Sequence, residues 1–152
     1  MAIALENRVP PPIVAACVAA AMLGFAWVVP ALTFPIPSVL AYPVAAVGVS
    51  LDAIALLHFF RSRTTINPLK PASASALVTG GIYRFTRNPM YLGLATLLLA
   101  WAIYLGSLAA LAGVPLFILY MNRFQIAPEE RALEERFGAE YIAYRARVRR
   151  WL

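Results

Sequence analysis

A short polar stretch between two apolar regions holds the residues whose types and spacing could do chemistry. It reads TGGIYRFTRNPMYLG and covers residues 79–93. Because Asn88 precedes a proline, its backbone is restricted to extended conformations, and it can act as the N-cap of a helix beginning at Pro89. The positive end of that helix, with Arg84 and Arg87 nearby, would form a site for a carboxylate or a phosphate.

The other residues of this stretch suit a ligand of mixed chemistry. Gly80 and Gly81 would let the backbone turn tightly and approach a ligand closely. Tyr83 and Tyr91 offer aromatic faces able to hold a cation or an adenine ring. The alternative interpretation is a loop at a membrane surface, with arginines that only bind lipid headgroups.

A second polar group follows the last apolar segment, where Arg123 precedes Glu129 and Glu130. Paired carboxylates can bind sugar hydroxyls or a cation, although acids are also ordinary residues in the first turn of a helix. A ligand that is both zwitterionic and cationic would suit the two groups jointly, and S-adenosylmethionine is such a ligand. The glycine-rich strand–turn–helix with which soluble proteins bind nucleotide cofactors has no counterpart in this sequence.

The composition identifies an integral membrane protein. The chain has 152 residues, enough for one domain (1–152), of which 62% are hydrophobic and 13% charged, with a mean hydropathy of +0.74. Soluble domains average about 45–50% apolar and 25% charged residues, so a soluble core could not cover this much apolar surface. The net charge is +6, but the arginines adjoin apolar segments, which favours an anionic membrane surface over nucleic acid.

The apolar segments predict an all-α fold with four transmembrane helices. They cover residues 13–34, 39–60, 89–105 and 107–122, and Pro115 is expected to kink the last one. A cleaved signal peptide is the alternative for the first segment, but its apolar region would be shorter and its flank more basic. A polar loop (61–88) and a polar tail (123–152) complete the chain.

The positive charges predict the orientation. Five of the 13 Lys and Arg residues fall in the loop and seven in the tail, whereas the other two connections have none. Because positive charge marks the cytoplasmic side, both termini are expected to be cytoplasmic. In the tail, Gly138 should end a first helix, and beyond it Tyr141, Tyr144, Val148 and Trp151 recur at helical spacing. This amphipathic pattern predicts a helix lying in the membrane interface; the alternative is a helix packed on its own protein.

Three residues of the first two spans have side chains that could carry chemistry. Asp52 is costly at that depth, and so it is either part of a site or proton path or a partner in an interhelical hydrogen bond. His58 is expected near the membrane boundary. The single cysteine, Cys17, is interpreted as packing, and no metal site is predicted.

At this point the sequence resembles a known family, the isoprenylcysteine carboxyl methyltransferases, together with the wider membrane methyltransferases that include phospholipid N-methyltransferases. The matching residues are LVTGGIYRFTRNPMYLG (77–93) and EERALEERFGAEYIAYRARVRRW (129–151), and TTINPLKP (64–71) is similar to the bacterial branch. The resemblance implies a small helix bundle in the bacterial inner membrane, with S-adenosylmethionine bound on the cytosolic side and a lipophilic acceptor.

The resemblance also implies roles for individual residues. Arg84 and Arg123 are the candidates for holding the acceptor's carboxylate. The expected cofactor-binding residues are Tyr83, Arg87, Asn88, Pro89, Tyr91, Gly93, Glu129 and Glu130. Asn88 departs from the histidine of many relatives, and an asparagine cannot carry a proton as an imidazole does.

This departure slightly favours an acceptor that needs little base assistance. A carboxylate acceptor, with a pKa of about 3.5, is already ionised at neutral pH, whereas the amine of a phospholipid would need a base such as Asp52, Glu129 or Glu130. Two other readings stay open at this point: a membrane reductase that uses NADPH, and a membrane protein without catalytic activity.

Overall fold

The structure, a computed structural model, describes residues 6–61 and 76–152 of the 152. Within those two ranges it is helical without a β-strand, apart from one isolated bridge between Thr33 and Ser107. Of the predicted loop 61–88 the structure describes Arg61, which ends a helix, and residues 76–88, and TTINPLKP (64–71) lies outside the described residues.

Seven α-helices, a π-helical segment and two short 3-10 turns make up the described chain. The turns are Ser38–Leu40 and Gly81–Arg84, and the π-helical segment is Met121–Ile126. The helices are α1 (Pro11–Val28), α2 (Ala41–Arg61), α3 (Pro89–Leu105), α4 (Leu108–Leu111), α5 (Gly113–Tyr120), α6 (Ala127–Phe137) and α7 (Ala139–Arg147).

Three helical stretches are long and apolar enough to cross a membrane: Pro11–Val28, Ser38–His58 and Leu108–Phe137. The apolar α3 has 17 residues, which corresponds to about 26 Å of helix and is slightly short of a 30 Å hydrocarbon core. Trp27, Val28 and Phe60 are each at least 70% exposed. Side chains of this kind would face lipid, so the helices fit an integral membrane protein.

The predicted bounds hold for α3 and differ elsewhere. Helix α3 runs from Pro89 to Leu105, as predicted, and ends where Gly106 takes the left-handed conformation with φ of 60°. The first predicted segment (13–34) is too long, because α1 ends at Val28. Its C-cap residue, Val29, precedes Pro30, and a residue before proline is disfavoured in a helix.

The last predicted segment (107–122) does not end at a turn. Ser107 caps its start by accepting a hydrogen bond from the Ala110 N–H, 3.2 Å. An interruption at Ala112 separates α4 from α5, close to Pro115, whose nitrogen cannot donate to the carbonyl of Leu111. The helix then continues through the π-helical segment into α6, so the tail is an extension of the fourth apolar segment.

Helix α3 lies at the centre of the bundle. It packs along α2 and also contacts α1, α4 and α5. The buried core includes Met22, Leu98, Phe117 and Met121. The indole Nε1 of Trp101 donates to the Ala19 carbonyl, 3.1 Å, which ties α3 to α1. Helix α3, whose first residues are the end of the polar stretch, is therefore held by neighbours on several sides.

The expected membrane-interface face of the tail packs against the protein instead. Tyr141, Tyr144 and Val148 are buried, with exposures of 1%, 4% and 9%, and form a cluster with Leu77, Leu133 and Phe137. The interfacial interpretation of these residues is wrong, because the same helical pattern suits a neighbouring protein surface. Gly138, with φ of 51°, does separate α6 from α7 as predicted.

Candidate functional site

The polar residues of the site are supplied by the start of α3, the region from the π-helical segment into α6, and the end of the chain. A π-helical segment is rare and often occurs at functional sites, because the extra residue per turn re-aims side chains. Here it presents Asn122 and Gln125, one turn before the two glutamates of α6. Six residues make up what we call the inner cluster: Arg87, Tyr91, Gln125, Glu129, Glu130 and Arg150.

Glu129 faces α3 through two short hydrogen bonds. The buried Tyr91 hydroxyl donates to Glu129 Oε1 at 2.6 Å, and Gln125 Nε2 donates to the same oxygen at 2.6 Å. Gln125 is 2% exposed and Tyr91 8%. Both bonds end on Oε1, and the second carboxylate oxygen is a further acceptor that could serve a ligand.

Glu130 is held between two arginines. Arg87 Nη2 lies 3.0 Å from Glu130 Oε1, and the exposures of the two side chains are 11% and 13%. Arg150 forms a bidentate pair with the same carboxylate, with Nε to Oε1 at 3.0 Å and Nη2 to Oε2 at 2.5 Å. Two cations around one carboxylate leave a net positive charge, which suits an anionic group of a ligand.

Two of the three guanidinium nitrogens of Arg87 have a partner among the described residues. Its Nη2 pairs with Glu130, and its Nη1 donates to the Tyr141 hydroxyl at 3.5 Å. Burial raises the pKa of Tyr141 to about 12, so the phenol is neutral at physiological pH. The Nε–H of Arg87 is buried and has no hydrogen-bond partner among the described residues. An unpaired donor of this kind is costly unless a ligand or water accepts from it.

The end of the chain crosses the start of α3 as an extended segment. The Arg87 N–H donates to the Arg149 carbonyl at 3.0 Å. The Arg150 carbonyl accepts from Asn88 Nδ2 at 2.9 Å and from the Thr86 hydroxyl at 3.3 Å. The residues after α7 therefore close one side of the inner cluster.

This crossing changes the expected role of Asn88. It occupies the N-cap position of α3, and its carbonyl accepts from the Leu92 N–H at 3.0 Å, but its side chain makes no capping bond. The prediction that Asn88 is the N-cap residue is therefore confirmed, but its side-chain amide donates to the Arg150 carbonyl and does not cap the helix. Pro89 does take the first helical position, as predicted.

The Asn122 side chain holds the end of the chain through two hydrogen bonds. Its Oδ1 accepts from Trp151 Nε1 at 3.0 Å and from Arg150 Nη1 at 3.4 Å. Sequence reasoning did not select Asn122, Gln125, Tyr141 or Arg150. The spacing of four residues between Gln125 and Glu129 could have suggested their contact. Arg150 stands in a run of arginines with no local signal that distinguishes it.

Gly81 serves the packing of the protein, whereas a Cβ on Gly80 would meet no atom within 4 Å among the described residues. Gly81 has a φ of 58°, and a Cβ there would lie 1.9 Å from the His58 imidazole. The close approach expected of Gly81 is thus made to α2. Tyr83 is 5% exposed, and its carbonyl accepts from the Tyr144 hydroxyl at 2.7 Å. Burial raises the pKa of Tyr83 well above that of a free phenol.

Gly93 allows α2 to approach α3. A Cβ on Gly93 would lie 2.2 Å from Asp52 Oδ1, and its carbonyl lies 3.0 Å from where a Cβ on Gly48 would be. Asp52 Oδ1 is buried without a partner among the described residues. This oxygen therefore does not make the interhelical hydrogen bond that was one interpretation of Asp52.

Arg84 and Arg123, the expected acceptor-binding pair, have different neighbours. Arg123 Nη1 lies 3.1 Å from Glu6 Oε1, and Arg131 Nη2 lies 2.9 Å from the other oxygen of that carboxylate. The hydrogen bond from Arg123 lowers the pKa of Glu6. Arg84 is exposed and lines a groove beside α7. No contact among the described residues joins the two arginines.

Comparison with known proteins decides the family. The model of the phospholipid methyltransferase family matches residues 37–140 of this chain. The chain belongs to the phospholipid methyltransferase family. It is also 56% identical over 63 residues to an uncharacterized protein of Haemophilus influenzae, an alignment that covers 41% of this chain and all of that protein. No solved structure matches the chain.

Membership in the phospholipid methyltransferase family confirms the expected wider group, the membrane methyltransferases. It implies methyltransferase activity and leaves open whether oxygen or nitrogen receives the methyl group. The matched region contains Arg87, Tyr91, Gln125, Glu129 and Glu130. The end of the chain with Arg150 lies beyond it.

Proposed function

We propose that this protein transfers a methyl group from S-adenosylmethionine to a lipophilic acceptor in the membrane. The family suggests this cofactor as the methyl donor. In this proposal the apolar segments form four transmembrane spans, with α3 as the third. The inner cluster and both termini then face the cytoplasm at a bacterial inner membrane.

The observation that carries the proposal is the free donor of Arg87 inside the inner cluster. Its Nε–H is buried and unpaired among the described residues, while Glu130 holds the rest of the guanidinium in place. A carboxylate is the natural acceptor for such a donor. The carboxylate of an amino-acid-bearing cofactor would fit there, and so the donor set of the cluster suits S-adenosylmethionine.

The other residues of the cluster suit the remaining groups of that cofactor. The carboxylate of Glu129, already bonded to Tyr91 and Gln125, would accept from an ammonium or from ribose hydroxyls. Bound there, the cofactor supplies an electrophilic methyl group on a sulfonium. Asn88, Pro89 and Gly93 would line the cofactor site at the start of α3. Tyr83 is buried, and its carbonyl accepts a hydrogen bond from the Tyr144 hydroxyl, so it would support this part of the site without facing the ligand.

The preferred acceptor is a carboxylate on a lipophilic chain, as in isoprenylcysteine-type methylation. Such a group is ionised at neutral pH, so methyl transfer needs alignment and exclusion of water but no base. Arg84 and Arg123 were expected to hold this carboxylate. Arg84 lines a groove and Arg123 pairs with Glu6. The proposal therefore does not include an acceptor carboxylate bound by both arginines at once.

The second candidate is transfer to the nitrogen of a phospholipid, which the description of the matching family favours. A lipid ammonium must lose a proton before it can attack. Glu129 is the best-placed base in the inner cluster, because both of its described hydrogen bonds go to Oε1 and its second oxygen is a further acceptor. In that case the Glu129 carboxylate would receive the proton directly from the ammonium.

Label transfer tests the proposal and separates the two acceptors. Membranes containing the protein are incubated with the methyl-labelled cofactor, and the lipids are extracted. Label that base treatment releases as methanol identifies a methyl ester, whereas base-stable label in phospholipid identifies N-methylation. If no label enters the lipid fraction and NADPH, but not S-adenosylhomocysteine, raises the melting temperature of the purified protein, the methyltransferase proposal is wrong.

A further inference from the structure

A second polar surface lies on the outside of the protein, next to the inner cluster but apart from it. This outer groove has a volume of about 430 Å³ and is lined by Thr79, Arg84, Tyr144, Arg147 and Val148. It runs between the 3-10 turn that ends at Arg84 and the end of α7. The tyrosine pair separates the two surfaces, because Tyr141 contacts Arg87 while Tyr144 lines the groove.

The groove carries two positive charges and no compensating acid. Neither Arg84 nor Arg147 forms an ion pair among the described residues, and the one bond from the Arg147 guanidinium goes from Nε to the Ala143 carbonyl at 3.3 Å. None of the lining residues is Asp or Glu. Arg145, two residues before Arg147, instead pairs with Glu134 at 2.6 Å. The charge of the groove therefore favours binding of an anion and disfavours binding of an ammonium group.

The position of the groove along the chain indicates what kind of anion reaches it. Arg84 precedes the first residue of the uncharged helix α3 by five residues, so it lies at the level where an apolar helix enters hydrocarbon. Phe85 is 74% exposed and Ile142, on the exposed side of α7, is 47% exposed. Apolar side chains beside two cations match the boundary between lipid headgroups and acyl chains.

We propose that the outer groove binds the phosphate of an anionic membrane phospholipid between Arg84 and Arg147, with Phe85 packed against its acyl chains. The guanidinium groups would hold the phosphate oxygens through charge-assisted hydrogen bonds. The neutral Tyr144 and the Thr79 hydroxyl line the same space. This inference rests on the proposed membrane position of α3 and is independent of the methyl transfer. It also assigns a ligand to Arg84 separate from the cofactor.

Lipid binding to the detergent-purified full-length protein tests the proposal. Native mass spectrometry counts bound dioctanoyl phosphatidylglycerol, with dioctanoyl phosphatidylcholine and inorganic phosphate as comparison ligands at equal ionic strength. Each guanidinium at a membrane surface contributes a factor of about five in affinity. We expect Arg84→Gln and Arg147→Gln each to weaken phosphatidylglycerol binding by that factor, and the double variant to weaken it more than tenfold.

Arg145→Gln is the matched control, because it removes the same charge from the same helix outside the groove, and it should bind like the unchanged protein. Equal binding of phosphatidylcholine would overturn the proposal, as would full competition by inorganic phosphate or unchanged lipid binding by the double variant. Arg84→Lys and Arg147→Lys keep the charge and should retain most of the affinity. S-adenosylhomocysteine binding, measured on the same samples, reports separately on the methyltransferase proposal.

Discussion

Arg84 and Arg87 are three residues apart in the sequence and have opposite environments. The Arg87 side chain is 11% exposed, is paired with Glu130 and belongs to the inner cluster. Arg84 is exposed and faces the outer groove. The sequence left two interpretations open for this pair, a ligand site or a headgroup-binding loop. The structure supports assigning one interpretation to each arginine.

The difference arises from the short connection between them. Arg84 is the last residue of the 3-10 turn, and Thr86 is buried with its hydroxyl bonded to the Arg150 carbonyl. Because Thr86 is buried, the chain turns toward the protein interior after Arg84. The Arg87 side chain is therefore buried next to residues 149 and 150 at the end of the chain. The burial of Thr86 thus gives two nearby arginines different environments and different possible ligands.

The largest expected effect comes from changing the two arginines one at a time. Arg87→Gln should weaken S-adenosylhomocysteine binding by about 100-fold, because it removes a charged donor and leaves Glu130 short of a partner. Arg84→Gln should stay within about threefold, since an exposed group outside the cluster loses little. Isothermal titration in detergent measures both, and an equal loss in the two variants would contradict the separation.

Arg87→Lys sharpens the same comparison. A lysine can keep the ion pair with Glu130 but lacks the planar fork and the spare Nε–H. We therefore expect it to fold with a near-normal melting temperature and to bind about tenfold more weakly. Unchanged affinity of this variant for S-adenosylhomocysteine would show that the charge of residue 87 is sufficient. The unpaired Nε–H would then no longer support the proposed cofactor site.

The next effect is on stability and compares two glutamates of α6. Glu130→Gln weakens contacts to two partly buried arginines and should lower the free energy of unfolding by about 2–3 kcal/mol. Glu134→Gln breaks a pair whose side chains are 38% and 40% exposed, and should cost less than about 1 kcal/mol. Denaturant unfolding in detergent measures both. A larger loss for Glu134→Gln would refute the buried character of the cluster.

Two adjacent arginines test the end of the chain. Arg150→Gln removes the bidentate contact to Glu130 and should weaken S-adenosylhomocysteine binding by about tenfold. Arg149→Gln is the control, because that side chain is exposed and only its carbonyl contacts Arg87. Its binding should stay within about twofold of the unchanged protein. Equal S-adenosylhomocysteine binding by both variants would mean that the Arg150 side chain contributes to packing and not to the cofactor site.

The sequence predicts elements whose causes are local. Helix α3 has its predicted bounds because Asn88 and Pro89 define its start and Gly106 its end. The shared cytoplasmic face and the family resemblance both placed Glu129 near the start of α3, but neither predicted the hydrogen bond from Tyr91, which joins residues 38 apart. Arg150 could not be selected, since its position depends on how the chain turns after α7.

The tail shows why a correct pattern can lead to a wrong environment. Tyr141, Tyr144 and Val148 do share one face, as their spacing predicts, but that face is buried against Leu133 and Phe137. Lipid and a neighbouring protein surface select the same apolar residues. The position of Tyr83, whose carbonyl accepts from the Tyr144 hydroxyl, distinguishes the two environments, and that position depends on the tertiary fold.

The smallest expected effect is the response of the two surfaces to salt. Raising sodium chloride from about 0.05 to 0.5 M shortens the screening length from roughly 14 to 4 Å. Binding of phosphatidylglycerol in the outer groove should then weaken several-fold, because Arg84 and Arg147 are exposed to solvent. Binding of S-adenosylhomocysteine should change less than about twofold, because Arg87 and Glu130 are shielded from ions. Native mass spectrometry and calorimetry on one preparation compare the two responses. Equal salt sensitivity would mean that the inner cluster is as open to solvent as the groove, and the contrast between Arg84 and Arg87 would then lose its physical basis.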